Sequence, residues 1–382
     1  MAEILIYTSL CEKGNLLRSS VDNRTVLNWN SPSVEVLFHL LRIALGKEEP
    51  SSLPNDVNWQ EVYDLSLKQG VGAIACDRML ALKECNIDEE LKYKWMGQSL
   101  VIAQKYNHHK KVLAELSSFF QQRGIKMMLL KGYGLSLNYP VPEHRPSGDI
   151  DIFLFGEKSK ADDCVTQDLG IRVKTSYDKH SSFDFKGVTV ENHAVFFDLD
   201  SHPSNSLVNE QICKLIDGRT EEIKVGESSV ILPNPTLMAV HLLRHTACDF
   251  AANSISLRQV LDWATLVSQR GCEMEWPVIL TFVEKTGMLQ FFCLINSFCV
   301  ERLGLERSLF PMTEEMSDED GRFIKDILFG KRVSDFPSTS HKVYYGIRKT
   351  MQFWQNRWKY KMVYSDSLLK LYITIAKNRL IH

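Results

Sequence analysis

The chain of 382 residues lacks a charge excess, a cysteine framework and a long apolar run. A formal net charge of -2 gives no global field for nucleic acid, so any basic surface has to be local. The nine cysteines stand at 11, 76, 85, 164, 213, 248, 272, 293 and 299, none in a CxxC pair, and the number is odd. That excludes a regular disulfide framework or cysteine zinc site and points to buried thiols in a reducing compartment, the cytoplasm. The first residues, MAEILIYTSLCEKGN, have no basic lead and no long apolar core, so no signal peptide is expected. The longest apolar stretch, residues 291–300, is too short to span a bilayer, and no membrane partner is expected. Neither an internal repeat nor a low-complexity tract is found.

What is present falls into three regions. Apolar residues at helical spacing over 33–45 predict a first helix. After turn chemistry at 51–56, one or two more amphipathic helices and a long helix from about 88 to 122, stopped by Gly124, complete a helical first third. The middle reads as a buried strand over 125–130, a short helix over 133–139, a proline loop (Pro140, Pro142, Pro146) and the strand DIDIFLF over 149–155. A helix over 157–170, closed by Gly170, precedes strands over 171–177, 181–187 and 188–197, with Lys186-Gly187 as a turn. From 234 the pattern is helical again, interrupted by an acidic loop over 310–321, and the tail from 341 is helical, basic and aromatic. The expected fold class is α+β: a small mixed-sheet core (125–233), with helices on one face, flanked by an N-terminal helical region (1–124) and a C-terminal helical domain (234–382).

Asp149 and Asp151 are the informative pair. Residues i and i+2 of a strand share a face, so two like charges meet there while Ile150 and Ile152 pack on the other side. The plain reading is a solvated edge strand. A divalent cation would remove the repulsion and use both carboxylates as oxygen ligands. Ser147-Gly148 precedes the pair as a turn that can approach an anion, and Arg145 stands just before it. Upstream, Lys131-Gly132 ends a strand and opens a helix, a natural phosphate position. A phosphate cradle next to a metal clamp is what phosphoryl or nucleotidyl transfer requires. A third acid is expected on an adjacent strand. Glu191, sharing a face with Thr189 and His193, and Asp198, paired with Asp200, are the two candidates.

Lys131-Gly132 followed by Arg145-x-Ser147-x-Asp149-x-Asp151 resembles the signature of the DNA polymerase β-like nucleotidyltransferase superfamily. The resemblance is closest to uncharacterised bacterial nucleotidyltransferases and more distant to abortive-infection toxin nucleotidyltransferases. It covers about residues 125–200, with Tyr133 standing where a second small residue is usual. It implies ATP or another NTP as substrate, two Mg2+ ions (or Mn2+) on Asp149, Asp151 and Glu191, and pyrophosphate release. It also implies nucleotide contacts from Lys131, Gly132, Arg145, Ser147 and Gly148. The third acid it implies is Glu191. The alternative is a catalytically weak nucleotide-binding or toxin-like regulatory protein.

Other patterns compete with these. VFFDLDSHP imitates the haloacid-dehalogenase nucleophile motif, but His202 stands where Thr or Ser belongs and no doubly wound sheet follows. His241 and His245, at i and i+4, read as a buried or interface pair, since the Glu of HExxH is missing. Arg258 and Asp262 read as a surface salt bridge, or, by the resemblance, as part of a helical domain closing over the nucleotide. In the tail, Arg348, Lys349, Arg357, Lys359 and Lys361 alternate with Phe353, Trp354, Trp358, Tyr360 and Tyr364. The aromatics are expected to pack and the charges to stay solvated. The acceptor is unidentified, and the charge balance favours a small molecule or protein over RNA; oligomeric state is not specified.

Overall fold

The protein is described here by a computed structural model covering residues 31–381 except 52, 54–56, 177–179, 198–201, 203, 217–219, 317–319 and 331–341. Among the described residues the fold is mixed, with fifteen α-helices and one seven-stranded sheet. Helices α1 (Pro32–Ala44), α2 (Trp59–Lys68), α3 (Gly72–Leu80) and α4 (Glu89–Gln121) come first. Ser31, Asn58 and Asp88 cap α1, α2 and α4 by accepting a backbone N–H two or three residues into the helix, which fixes where each begins.

The sheet is ordered β3-β4-β5-β2-β1-β7-β6. Its central strand is β2 (Ile150–Phe153), beside which β1 (Met128–Leu129) runs antiparallel to β2 and parallel to β7 (Ser228–Leu232). On the other side of β2 lies β5 (Val188–His193), running parallel. Then follow β4 (His180–Phe185) and β3 (Lys174–Ser176), with Lys186-Gly187 forming the expected β4–β5 turn. The hairpin of β6 (Glu221–Val225) and β7 extends the sheet beyond β1. This hairpin, and α7 (Ser204–Ile216) before it, were not read from the sequence; Gly226-Glu227 between two alternating runs was the available signal.

The sheet is covered on both faces rather than one. Ile150, Ile152, Leu129 and Val190 pack with Leu113, Leu116 and Phe120 of α4 and with Ala161 and Val165 of α6 (Lys158–Leu169). Met128 and Leu130, pointing the opposite way by strand alternation, join the larger helical core. That core contains residues of α1 to α3 together with those of α8 (Pro235–Ala252), α9 (Leu257–Arg270), α10 (Trp276–Thr286), α11 (Leu289–Glu301) and α12 (Gly321–Phe329). Helices α13 (Lys342–Gln355), α14 (Arg357–Val363) and α15 (Leu368–Ile381) close the chain. No described helix is long and apolar enough to cross a membrane.

Candidate active site

The pairing register builds the site. Asp151 of β2 is the partner of Glu191 on parallel β5, so the two carboxylates leave the sheet side by side. His193, two residues along β5, shares the face of Glu191. Asp149 immediately precedes β2, in a more exposed position, and lines the same cleft as Asp151. On the other side of β2, the Leu130 N–H donates to the Asp151 carbonyl at 3.0 Å, continuing the β1–β2 pairing. That bond leaves Lys131 beside Asp151, with Nζ 3.2 Å from Oδ1.

Gly132 follows with φ +69°, and a Cβ there would lie 3.6 Å from the Asp149 carbonyl oxygen. The left-handed backbone lets the chain turn from β1 into α5 (Tyr133–Ser136), which is shorter than the sequence suggested. Tyr133 stacks on Tyr106 of α4, with ring centroids 5.5 Å apart, and does not line the cleft.

Electrostatics separate the acids. Burial opposes the charge on Asp151, but the His193 hydrogen bond at 3.1 Å and the Lys131 charge outweigh it and hold its pKa at about 2. Glu191 is lowered by its hydrogen bond to His193, whose Nε2 lies 3.5 Å from Oε2. Asp149 is raised, by burial and then by the charges of Glu191 and Asp151. His193 is raised: burial disfavours its charge, and the two carboxylates overcome that. Asp151, Glu191 and His193 each offer one donor atom, all within 4.8 Å of one another. Two hard oxygens and an imidazole nitrogen suit a divalent cation, and Asp149 adds a third acid at the rim.

The cleft, a cavity of about 170 Å³, lies between this end of the sheet and helices α8 and α9. On α8, His245 Nδ1 is 3.2 Å from Asp249 Oδ2, and its Nε2 is 3.0 Å from Lys131 Nζ. The ammonium can only donate, so Nε2 accepts and the imidazole proton sits on Nδ1, facing Asp249. Burial alone would raise Asp249, yet its hydrogen bond with His245 lowers it, and Gln259 Nε2 donates to it at 2.9 Å. His245 therefore belongs to the cleft. His241 lines the cleft too, but it is buried against Phe196 and Phe197, and burial pushes its pKa well down. Thr246, 1% exposed, lines the cleft with a hydroxyl that has no partner among the described residues.

Arg145 and Asp262 meet in a buried bidentate pair, Nε to Oδ1 at 2.6 Å and Nη2 to Oδ2 at 2.8 Å, and Tyr139 Oη donates to the same Oδ1 at 2.6 Å. The suggested surface bridge between Arg258 and Asp262 is thus replaced by a buried clamp joining the proline loop to α9. The Arg258 guanidinium makes one long hydrogen bond, to the Pro146 carbonyl at 3.5 Å, and no salt bridge among the described residues. Burial, then the nearby Arg145 charge, lowers its pKa. It lines the cleft as a cation open to an anion. Gly148 also lines the cleft; Ser147, half-buried in the same loop, does not. Asp198 and Asp200 lie outside the described residues.

The sequence thus pointed to Asp149, Asp151, Glu191 and Lys131, which the fold brings to one end of three adjacent strands. It did not identify Asp249, Gln259, Thr246 or Tyr139, which have no motif of their own. No curated protein matches the chain. Among solved structures, an antigenic nucleotidyltransferase-like protein from Paracoccidioides brasiliensis is 13% identical over 46% of this chain and 87% of its own, with a TM-score of 0.30. The family model that matches covers residues 55–304, well over half of the sequence, and by it the chain belongs to the family described as uncharacterised nucleotidyltransferase.

Proposed function

We propose that the protein transfers a nucleoside monophosphate from an NTP to an acceptor hydroxyl and releases pyrophosphate. The observation that carries this reading is the register pairing Asp151 with Glu191 while β1 delivers Lys131 to the same carboxylate. Divalent cations, when bound, supply electrophilic activation of the phosphate and a more acidic acceptor hydroxyl. Asp149, Asp151 and Glu191 would hold them. Lys131 is close enough to move its ammonium from Asp151 to a phosphate oxygen. Arg258, with no carboxylate partner of its own, offsets phosphate charge from the α9 side. Thr246 offers a hydrogen bond to the nucleotide or acceptor, and Gly148 leaves room where the chain reaches Asp149. Arg145 acts indirectly, by anchoring the loop that carries Ser147 and Gly148 to Asp262.

A small molecule or a protein side chain is the favoured acceptor over RNA, given the near-zero net charge, and the cytoplasm is the favoured compartment. The test is incubation with each α-labelled NTP, Mg2+ or Mn2+, and fractionated cell extract. Label should enter one acceptor with wild type and none with Asp149→Asn/Asp151→Asn, whose fold is checked by urea unfolding because Asp151→Asn also removes the partner of Lys131 and His193. Label entering equally with the double variant would refute the reading.

A further inference from the structure

We propose that His193 is itself a metal ligand, through Nε2, and that this nitrogen makes the site select a first-row transition-metal dication over Mg2+. The inference rests on the metal-dependent reading of the same site and adds the identity of the ion. Its basis is the placement of one imidazole nitrogen between two carboxylates. Nε2 lies 3.1 Å from Asp151 Oδ1 and 3.5 Å from Glu191 Oε2. Adjacent donors around a six-coordinate ion with bonds of about 2.1–2.2 Å are separated by roughly 3 Å, the scale seen here.

The arrangement also needs a proton or a cation at Nε2. An imidazole lone pair facing two carboxylate oxygens is repelled unless a proton or a cation lies between them. The side chain is only 16% exposed, so water does little to relieve that repulsion. Strand geometry gives His193 little freedom to turn away. It alternates with buried Asn192, whose Nδ2 is tied to Asp162 Oδ1 at 2.9 Å on the opposite face of β5. That anchor holds the strand, and with it Glu191 and His193, in place.

Mg2+ favours oxygen donors and keeps much of its water, whereas Mn2+, Co2+ and Zn2+ accept imidazole readily. Two carboxylates and one imidazole therefore shift preference away from Mg2+. An all-carboxylate cluster on the same strands would not.

The experiment uses the full-length protein with Mn2+ alone, and then with Mn2+ and inorganic tripolyphosphate, which contains no nitrogen. Pulsed electron paramagnetic resonance should show a directly bound 14N on Mn2+, absent in His193→Gln. In competition titrations, Mn2+ should displace Mg2+ with at least about tenfold preference, falling toward parity in the variant, whose side-chain oxygen is a hard donor. The wild-type spectrum tests ligation even if the variant fails to fold. Bound Mn2+ without 14N coupling, or an unchanged Mn2+/Mg2+ ratio in a folded variant, would overturn the proposal and leave nucleotidyl transfer standing. Failure of either ion to bind, with or without tripolyphosphate, would overturn both.

Discussion

At the scale of single residues, the cleft is organised by hydrogen-bond direction. The order Asp249, His245, Lys131, Asp151 works only if His245 carries its proton on Nδ1. Asp249→Asn allows an amide donor to face Nδ1, which favours the other tautomer and turns Nε2–H toward the ammonium. Its tripolyphosphate affinity should therefore fall as it does in His245→Leu, and His245→Gln, which keeps an acceptor, should fall less; calorimetric titration reads all three. A second prediction concerns Thr246. Its hydroxyl has no protein partner to lose, so Thr246→Val should leave the urea midpoint unchanged or raised, and should raise the KM for NTP or acceptor by about tenfold if the hydroxyl contacts substrate. A third concerns pH. Burial, then the Arg244 and Lys370 charges against that of Asp366, holds His202 down at about 4 from its usual 6.5. The unfolded chain takes up this proton near 6.5 and the folded one only near 4, so the stability it contributes is complete above 6.5 and declines as pH falls toward 4. His202→Gln should flatten that part of the stability-against-pH curve measured by urea unfolding. The acids and Lys131 were legible because strand alternation and a short motif place them locally. His245 showed only as half of a histidine pair: its contact with Lys131, just past β1, crosses more than a hundred residues and leaves no spacing to read, while the i, i+4 spacing to Asp249 was present but carried no motif.

At the scale of elements, the clamp between the proline loop and α9 decides whether the site keeps its shape. Arg145, Asp262 and Tyr139 are all buried, so removing one charge leaves the other without a partner. Asp262→Asn or Arg145→Met should each cost about 3–5 kcal/mol in urea unfolding, and Arg145→Met/Asp262→Leu should cost less than the sum, because two desolvated charges leave together. A sum that is simply additive would mean the pair is not coupled. The sequence showed the loop by its prolines and showed α9 by its periodicity, but not that they meet. Sheet completion was hidden for a related reason. β1 is two residues long and gains its place from partners on both sides, one of them β7, which follows a hundred residues later. A short apolar run identifies such a strand, whereas its neighbours are chosen by the whole sheet.

At the scale of the molecule, the C-terminal helices show how the basic tail is used. Expected to be solvated, Lys359 is instead 2% exposed, with Nζ 2.6 Å from Asp326 Oδ1 on α12 and over the Phe250 ring of α8. Trp358 packs on Phe250 at 5.4 Å between ring centroids and Phe353 is buried, as expected of aromatics that fix α13 and α14 to the body. Trp354, 43% exposed, is the exception. A lysine paired inside the protein cannot serve a phosphate outside it, which weakens the case for an RNA grip built from this segment. Lys359→Met should leave the Asp326 carboxylate buried and alone, at a cost of about 3–5 kcal/mol, and Phe353→Ala should cost a similar amount for its cavity. Lys361→Ala, at an exposed position, should stay within about 0.5 kcal/mol of wild type. With the fold intact, Lys361→Ala should also leave nucleotidyl transfer unchanged, and binding of a labelled single-stranded RNA should be weak at every salt concentration. Tight RNA binding that falls steeply with added salt, and less steeply in Lys361→Ala, would show that the solvent-facing charges of the tail do contact phosphates and would move the acceptor toward RNA.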